Sequence, residues 1–270
     1  MTPLAFLTEP DPPRGVAFSV APGIRRLVAP NPGPYTYHGT NTYLIEGVGG
    51  TTVLDPGPDD AGHVATILAS VGLAGAGKVA RIFLTHTHAD HVGALPALRA
   101  ATGAPVFAHG EGVADGAAIG LWTALHTPGH APDHLCFARA DGVVFSGDHV
   151  MGFSSSVVIP PDGDMAAYMA NLRRMLGRPG DTLFLPGHGP PIRHPLAFTE
   201  ALLRHREERE AAIRATLAAG PMTAAAIVER LYVPLDPRLR GAAAASVTAH
   251  LIKLRGEGAA RDTDGVWRLA

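Results

Sequence analysis

One cysteine, Cys136, stands in 270 residues, so no intramolecular disulfide can form and the fold requires no oxidising compartment. Lysine is scarce too: of 22 basic residues, only Lys78 and Lys253 are lysine. Set against 24 acidic residues, the basic ones leave a formal charge of -2. That excludes a global positive field drawing the chain onto nucleic acid or an anionic membrane, so any such binding must be local. No uncharged apolar run approaches the ~20 residues of a membrane span. The opening MTPLAFLTEPDPPRG has no cationic leader and is broken by Pro10, Pro12 and Pro13, so no secretion signal is expected and the cytoplasm is the expected location. Charged residues reach only 17% against 46% apolar, with a mean hydropathy of +0.13, which excludes a disordered polymer. What the chain has in excess is 32 glycines, 24 prolines and 14 histidines. At 28.0 kDa it fits one large domain or a main domain with an appendage, and the histidines are what need explaining.

Up to about residue 200, short β-rich runs alternate with Gly/Pro loops and helices, the pattern of a layered α/β (α+β) protein. Val16 to Val28, Thr42 to Glu46 and Thr51 to Leu54 read as strands, the last two joined at Gly49-Gly50. His63 to Val71 has helical spacing, Ala80 to Leu84 is a short strand, and Val92 to Ala101 a helix opened by Gly93. Strands follow at Pro105 to Ala108, Trp122 to Leu125, Leu135 to Arg139, Val143 to Ser146 and Thr182 to Leu185, with a helix over Met165 to Leu176. Beyond Pro195 the spacing predicts helices over Ala197 to Ala219, Ala224 to Tyr232 and Ala242 to Arg255. Two strands flanking the turn signal Asp264-Gly265 come next. Three helices and a hairpin suggest a winged-helix-like unit. The boundary is placed to give residues 1–199 and 200–270.

The histidines cluster in Thr85-His86-Thr87-His88-Ala89-Asp90-His91, between an apolar strand and a helix. Three imidazoles and a carboxylate in six positions answer no packing need; the spacing suits a binuclear metal site. Nitrogen and carboxylate donors favour zinc, although manganese and iron accept them as well. Three more potential donors stand just past strands in Gly-containing turns: Thr127-Pro128-Gly129-His130, Ser146-Gly147-Asp148 and Pro186-Gly187-His188-Gly189. Asp55 also follows a strand.

Together these segments resemble the metallo-β-lactamase superfamily over residues 20 to 195. The resemblance implies an αββα sandwich with two metal ions, expected as Zn2+ with Mn2+ or Fe2+ as alternatives, at one edge. It implies His86, His88 and His130 around the first metal, Asp90, His91 and His188 around the second, and Asp148 bridging both. Asp55 would be a structural carboxylate behind the ligands. His134, four residues after His130, is either a hydrogen-bonding partner inside the site or plain structure. Asp148 stands where class B1 enzymes carry cysteine, and His88 where flavodiiron oxygen reductases carry Glu; both branches are disfavoured. The run Pro32-Gly33-Pro34-Tyr35-Thr36-Tyr37-His38-Gly39-Thr40-Asn41-Thr42-Tyr43-Leu44, the His-rich motif and the helical appendage resemble the β-lactamase-like protein 2 group. Its animal member is a zinc-dependent endoribonuclease acting on single-stranded RNA.

The resemblance implies a hydrolase in which metal-bridging hydroxide attacks the substrate and Asp90 shuttles the proton. Three functions follow. One is hydrolysis of single-stranded RNA. Another is acyl hydrolysis of a small-molecule ester, thioester, lactone or β-lactam, as in glyoxalase-type enzymes. The last is a metal- or nucleic-acid-binding module without catalysis. Residues 200 to 270 carry 11 basic and 9 acidic residues, the rest 11 and 15. Arg238, Arg240, Lys253, Arg255, Arg261 and Arg268 either form a basic strip over the third helix and wing or belong to a solvated face. His38 in the Tyr-rich loop, His109, Ser154 to Ser156 and Tyr168 are each open between a place at the cleft and plain structure. His149, beside Asp148, is expected to point elsewhere.

Overall fold

The computed structural model describes residues 4–73, 77–234 and 236–270. The first half folds as β1 (Phe18–Ala21), β2 (Ile24–Val28), β3 (Asn41–Gly47), β4 (Gly50–Leu54), α1 (Ala61–Leu73), β5 (Val79–Phe83), α2 (Ala89–Val92), α3 (Leu95–Thr102) and β6 (Val106–Phe107). The second follows as β7 (Ala118–Ile119), β8 (Trp122–His126), β9 (Leu135–Arg139), β10 (Val143–Gly147), α4 (Met165–Leu176) and β11 (Leu183–Pro186). The chain closes with α5 (Pro195–Ala218), β12 (Met222–Thr223), α6 (Ala224–Leu231), α7 (Arg240–Gly256), β13 (Ala260–Thr263) and β14 (Val266–Leu269).

Strand periodicity sorts the apolar residues into layers. Because successive side chains of a strand face opposite ways, Tyr43, Ile45, Leu54 and Phe83 turn inward while their neighbours Leu44, Val53 and Ile82 turn outward. The inward set meets Leu135, Phe137, Val143, Phe145 and Leu185 of the second sheet. The outward set is covered by Ile67 and Val71 of α1 and Leu98 of α3. On the far side, Cys136, Ala138, Val144 and Phe184 pack against Tyr168, Met169 and Leu172 of α4 and Leu202 of α5. Three buried interfaces therefore separate four layers, helices, sheet, sheet, helices, as the αββα expectation requires. The sheets run β1-β2-β3-β4-β5-β6 and β11-β10-β9-β8-β7.

The expected single strand over Val16 to Val28 is instead a hairpin: Pro22-Gly23 turns the chain, with Gly23 at φ +67°, and Ser19 pairs with Arg25. The expected helix over Val92 to Ala101 begins earlier, at Ala89, and is interrupted at Gly93-Ala94. The C-terminal unit has a core of its own around Ile213, Ile227, Val247, Leu251 and Trp267. Its wing is the hairpin β13-β14, with Asp264 and Gly265 both at positive φ, and β12 adds a third strand. Helix α5 runs through residue 200. Its first half packs under α4, and its second half supplies Ile213 and Leu217 to the winged-helix core. No described helix is long and apolar enough to cross a membrane.

Candidate metal centre

The donor loops converge because of strand direction. β4 and β5 are parallel, so Asp55 and the 85–91 loop leave the same edge of their sheet. In the second sheet β8 and β10 both run antiparallel to β9, and β11 runs parallel to β10. His130, Asp148 and His188 therefore also emerge at one edge. There the side chains form three groups able to hold a metal ion: His86, His88 and His130; Asp90, His91 and His188; and His86, His91 and Asp148.

Within the first group, His86 Nε2 and His130 Nε2 lie 2.9 and 3.0 Å from His88 Nδ1. The opposite ring nitrogens fix the protons. Thr85 Oγ1 donates to Asp55 Oδ2 at 2.7 Å, so at 3.0 Å it accepts from His86 Nδ1. His130 Nδ1 donates to the Val157 carbonyl at 2.7 Å. Both Nε2 atoms thus turn lone pairs toward His88 Nδ1, and one proton there can satisfy only one of them. A cation satisfies all three: tetrahedral bonds of ~2.0 Å put neighbouring nitrogens about 3.3 Å apart.

In the second group, His91 Nε2 is 3.3 Å from His188 Nε2, and Asp90 Oδ2 is 3.2 Å from His188 Nε2. Asp148 reaches both groups. Its Oδ1 lies 3.6 Å from His91 Nε2, and its Oδ2 lies 3.6 Å from His130 Nε2 and 3.5 Å from His188 Nε2. Asp148 Oδ1 is buried and accepts no hydrogen bond from the described residues. A buried carboxylate oxygen without a donor, amid imidazole lone pairs, fits a bound cation.

Behind the cluster, Asp55 is fully buried and faces away from the groups. It accepts from His91 Nδ1 at 2.9 Å and from the Thr85 amide at 2.8 Å, which aims His91 Nε2 inward. His134 contributes no atom to the three groups. Its Nε2 accepts from the Asp148 amide at 3.1 Å while Nδ1 donates to Thr127 Oγ1 at 2.8 Å.

Charge is balanced locally. Burial alone would raise the Asp148 carboxyl, but His188 and His91 hold it well below the carboxylate range. Asp90 is likewise lowered against burial by His188 and His91. Burial would lower His188, yet Asp148 and Asp90 lift it to about 10, and His91 rises against burial beside Asp148 and Asp55. Burial pushes His86 down well below the ordinary histidine value, and it pushes His130 down as well. A metal cation bound here would compete with protons for the same lone pairs.

The residues that fix the His188 turn were not recognised from sequence. Asn41 Nδ2 donates to the Pro186 and Gly189 carbonyls, both at 2.9 Å. Tyr43 Oη donates to the Pro186 carbonyl and the buried Arg26 to the Gly189 carbonyl, both at 2.8 Å. Other candidates fall outside the groups. His38 pairs with Asp11 at 3.4 Å, and His109 stacks on His126 with centroids 4.0 Å apart. Tyr168 is buried under the second sheet, donating to the His149 carbonyl at 3.0 Å. In the basic strip, Arg238 pairs with Asp236, Lys253 with Glu210 and Glu257, and Arg255 with Asp262.

The metallo-β-lactamase superfamily model matches residues 35–123 and 110–188, and the β-lactamase-associated winged-helix model matches residues 223–267. A β-lactamase-like protein 2 homolog of Drosophila melanogaster is 30% identical over 267 residues, covering 87% of this chain and 89% of its own. An atrochrysone carboxyl ACP thioesterase of Passalora fulva is 29% identical over 219 residues, 74% of this chain and 63% of the relative, so this chain spans under two thirds of that protein. Among solved structures, a β-lactamase domain protein from Burkholderia ambifaria superposes with a TM-score of 0.82 at 26% identity, over 96% of this chain and 95% of that one. A smaller protein crystallised in a di-iron-bound form gives 0.54 at 29% identity, over 63% and 95%. With a catalytic-domain model across its core, a winged-helix model across its C-terminal unit and a relative aligned over most of both lengths, the chain belongs to the metallo-β-lactamase superfamily of hydrolases, akin to β-lactamase-like protein 2.

Proposed function

We propose that this chain is a cytoplasmic dinuclear zinc hydrolase of acyl thioesters, with the chemistry in residues 1–199 and access shaped by residues 200–270. The observation that carries the dinuclear reading is Asp148, whose two oxygens face the two imidazole groups. His86, His88 and His130 would hold one ion and Asp90, His91 and His188 the other. Bound there, the pair supplies a water acidic enough to ionise near neutral pH and a Lewis acid for the substrate oxygen. Asp90, at 31% side-chain exposure the open member of its group, takes the proton of the attacking water. The water oxygen bonds to the acyl carbon, the carbon–sulfur bond breaks, and Asp90 returns the proton to the departing thiolate. The thioesterase-named relative supports this substrate, as does a basic strip half neutralised by its own carboxylates.

Single-stranded RNA is the second reading, favoured by the likeness to β-lactamase-like protein 2 and by Arg240, Arg261 and Arg268, which have no acidic partner among the described residues. Metal analysis with a panel of thioesters, lactones, nitrocefin and single-stranded RNA separates the two. Two zinc ions per chain and turnover of thioesters alone are expected. RNA cleavage, with binding that weakens steeply as salt rises, would replace the thioester reading. Asp90→Asn is expected to lower kcat by about 10²- to 10⁴-fold with the fold retained, and an undiminished rate would remove Asp90 from the mechanism.

A further inference from the structure

A cavity of about 230 Å³ lies where the winged helix meets the catalytic core, walled by Tyr35, Ser154 to Val157, His205, Arg206, Arg209, Tyr232 and Ser246. Its lining is linked to the candidate metal centre through two contacts. Val157, whose carbonyl holds His130, lines it, and so does Tyr35 from the loop whose Gly39 carbonyl faces His188 Nδ1 at 3.4 Å. Two guanidinium groups enter this wall and, among the described residues, no carboxylate does. Arg206 is 3% exposed, yet among the described residues no acid pairs with it. It donates instead to the Ser156 carbonyl and, at 3.2 Å, to Ser246 Oγ. Arg209 lies over the Tyr232 ring, 4.3 Å from its centroid, and likewise lacks an acidic partner. Ser154 to Ser156 line it beside Arg206, and there the hydroxyls of Ser154 and Ser155 and the amides of residues 154–156 take no partner from the described chain.

Buried positive charge without a counter-ion is costly, and it persists where a ligand supplies the missing anion. Guanidinium forks, hydroxyls and free amides together match a phosphate. At about 230 Å³ the cavity suits one terminal phosphate better than a strand of several. Tyrosines and the side chains of Met151, Val157 and Leu239 provide an apolar approach.

We propose that this cavity binds a phosphate carried on the thiol arm of the thioester substrate, holding the arm while the acyl group reaches the metals. The identity of the arm rests on the proposed thioester function; the charge of the cavity does not. Arg206 also clamps α5 to the 154–157 loop, so Arg209 is the safer residue to change. In the zinc-loaded protein, S-acetyl-4′-phosphopantetheine is expected to show a KM at least about tenfold below that of S-acetyl-pantetheine. Calorimetry of the two free thiols should show the same ratio in Kd, and Arg209→Gln should bring both ratios close to one without lowering the melting temperature. Equal KM and Kd for the two forms in the wild type would overturn the proposal. Phosphate-dependent binding of the thiol through Arg209 without any thioester turnover would overturn the thioester function and support the phosphate site. Displacement of the phosphorylated thiol by a short oligoribonucleotide that is itself cut would overturn the thioester arm in favour of an RNA phosphate.

Discussion

Gly187 precedes His188 at a point where no side chain fits. A Cβ there would overlap Asp148 Oδ1 and lie 2.7 Å from His91 Cε1, intruding where Asp148 meets His91. Gly187→Ala is expected to weaken metal binding by about 10- to 100-fold, read by chelator competition, while the circular dichroism of the fold is kept. A quieter residue, His63 on α1, hydrogen-bonds Thr42 Oγ1 at 2.9 Å, and Thr42 in turn donates to the Asp55 carbonyl at 2.7 Å. Burial pushes His63 down to about 4, against an opposing pull from Asp60. An unfolded imidazole titrates near 6.5, so between about 6.5 and 4 the unfolded chain binds the extra proton. The stability His63 adds above that window is lost as pH falls through it. His63→Gln is therefore expected to shrink the wild type's loss between about pH 7 and about pH 4.5 by on the order of 1–3 kcal/mol, measured by urea unfolding. The residues that the structure gathers into the three groups were legible in sequence as candidates because four short motifs crowd them together. Arg26, Asn41 and Tyr43 were not, because their partners in the His188 turn lie more than 140 positions along the chain, where no local pattern reaches.

Among the elements, α4 shows how a helix start can serve the site. Asp164 caps it, Oδ1 accepting from the Ala167 amide at 3.0 Å, while the Asp164 amide donates to the Gly129 carbonyl beside His130. Gly129 permits this, since a Cβ there would strike the backbone of Tyr168. Asp164→Ala is expected to cost about 1 kcal/mol of stability by thermal or urea unfolding, as loss of a cap usually does. Helix α4 reads directly from sequence over Met165 to Leu176, because its apolar stripe and its cap agree. The β1–β2 turn was hidden inside one continuous β-rich run. Strands β7 and β12, of two residues each, are too short for any periodicity and exist only through the partners they pair with.

For the whole molecule, α5 decides how the parts depend on each other. Phe198, Leu202 and Leu203 close the core under α4, and Ile213 and Leu217 anchor the winged helix. A chain ended at residue 199 would lose the cover of Leu202, Leu203 and Arg206. It is expected to melt on the order of 10 °C below the full chain and to bind a hydrophobic dye, whereas a chain ended after Ala218 keeps that cover. Equal melting of the shorter chain would show that the catalytic core stands without α5.

The continuity of α5 has a geometric consequence. A helix turns about 100° per residue, so adding or removing one residue between Leu203 and Ile213 would rotate the winged helix about the α5 axis by that angle. Arg206 and Arg209 would then leave the wall of the cavity, or the wing would swing off it. The spacing along α5 thus acts as a clock face: substitutions on its outer surface leave that angle unchanged, whereas a change in its length does not. Relatives that keep this cavity should vary in the composition of that segment while keeping its residue count.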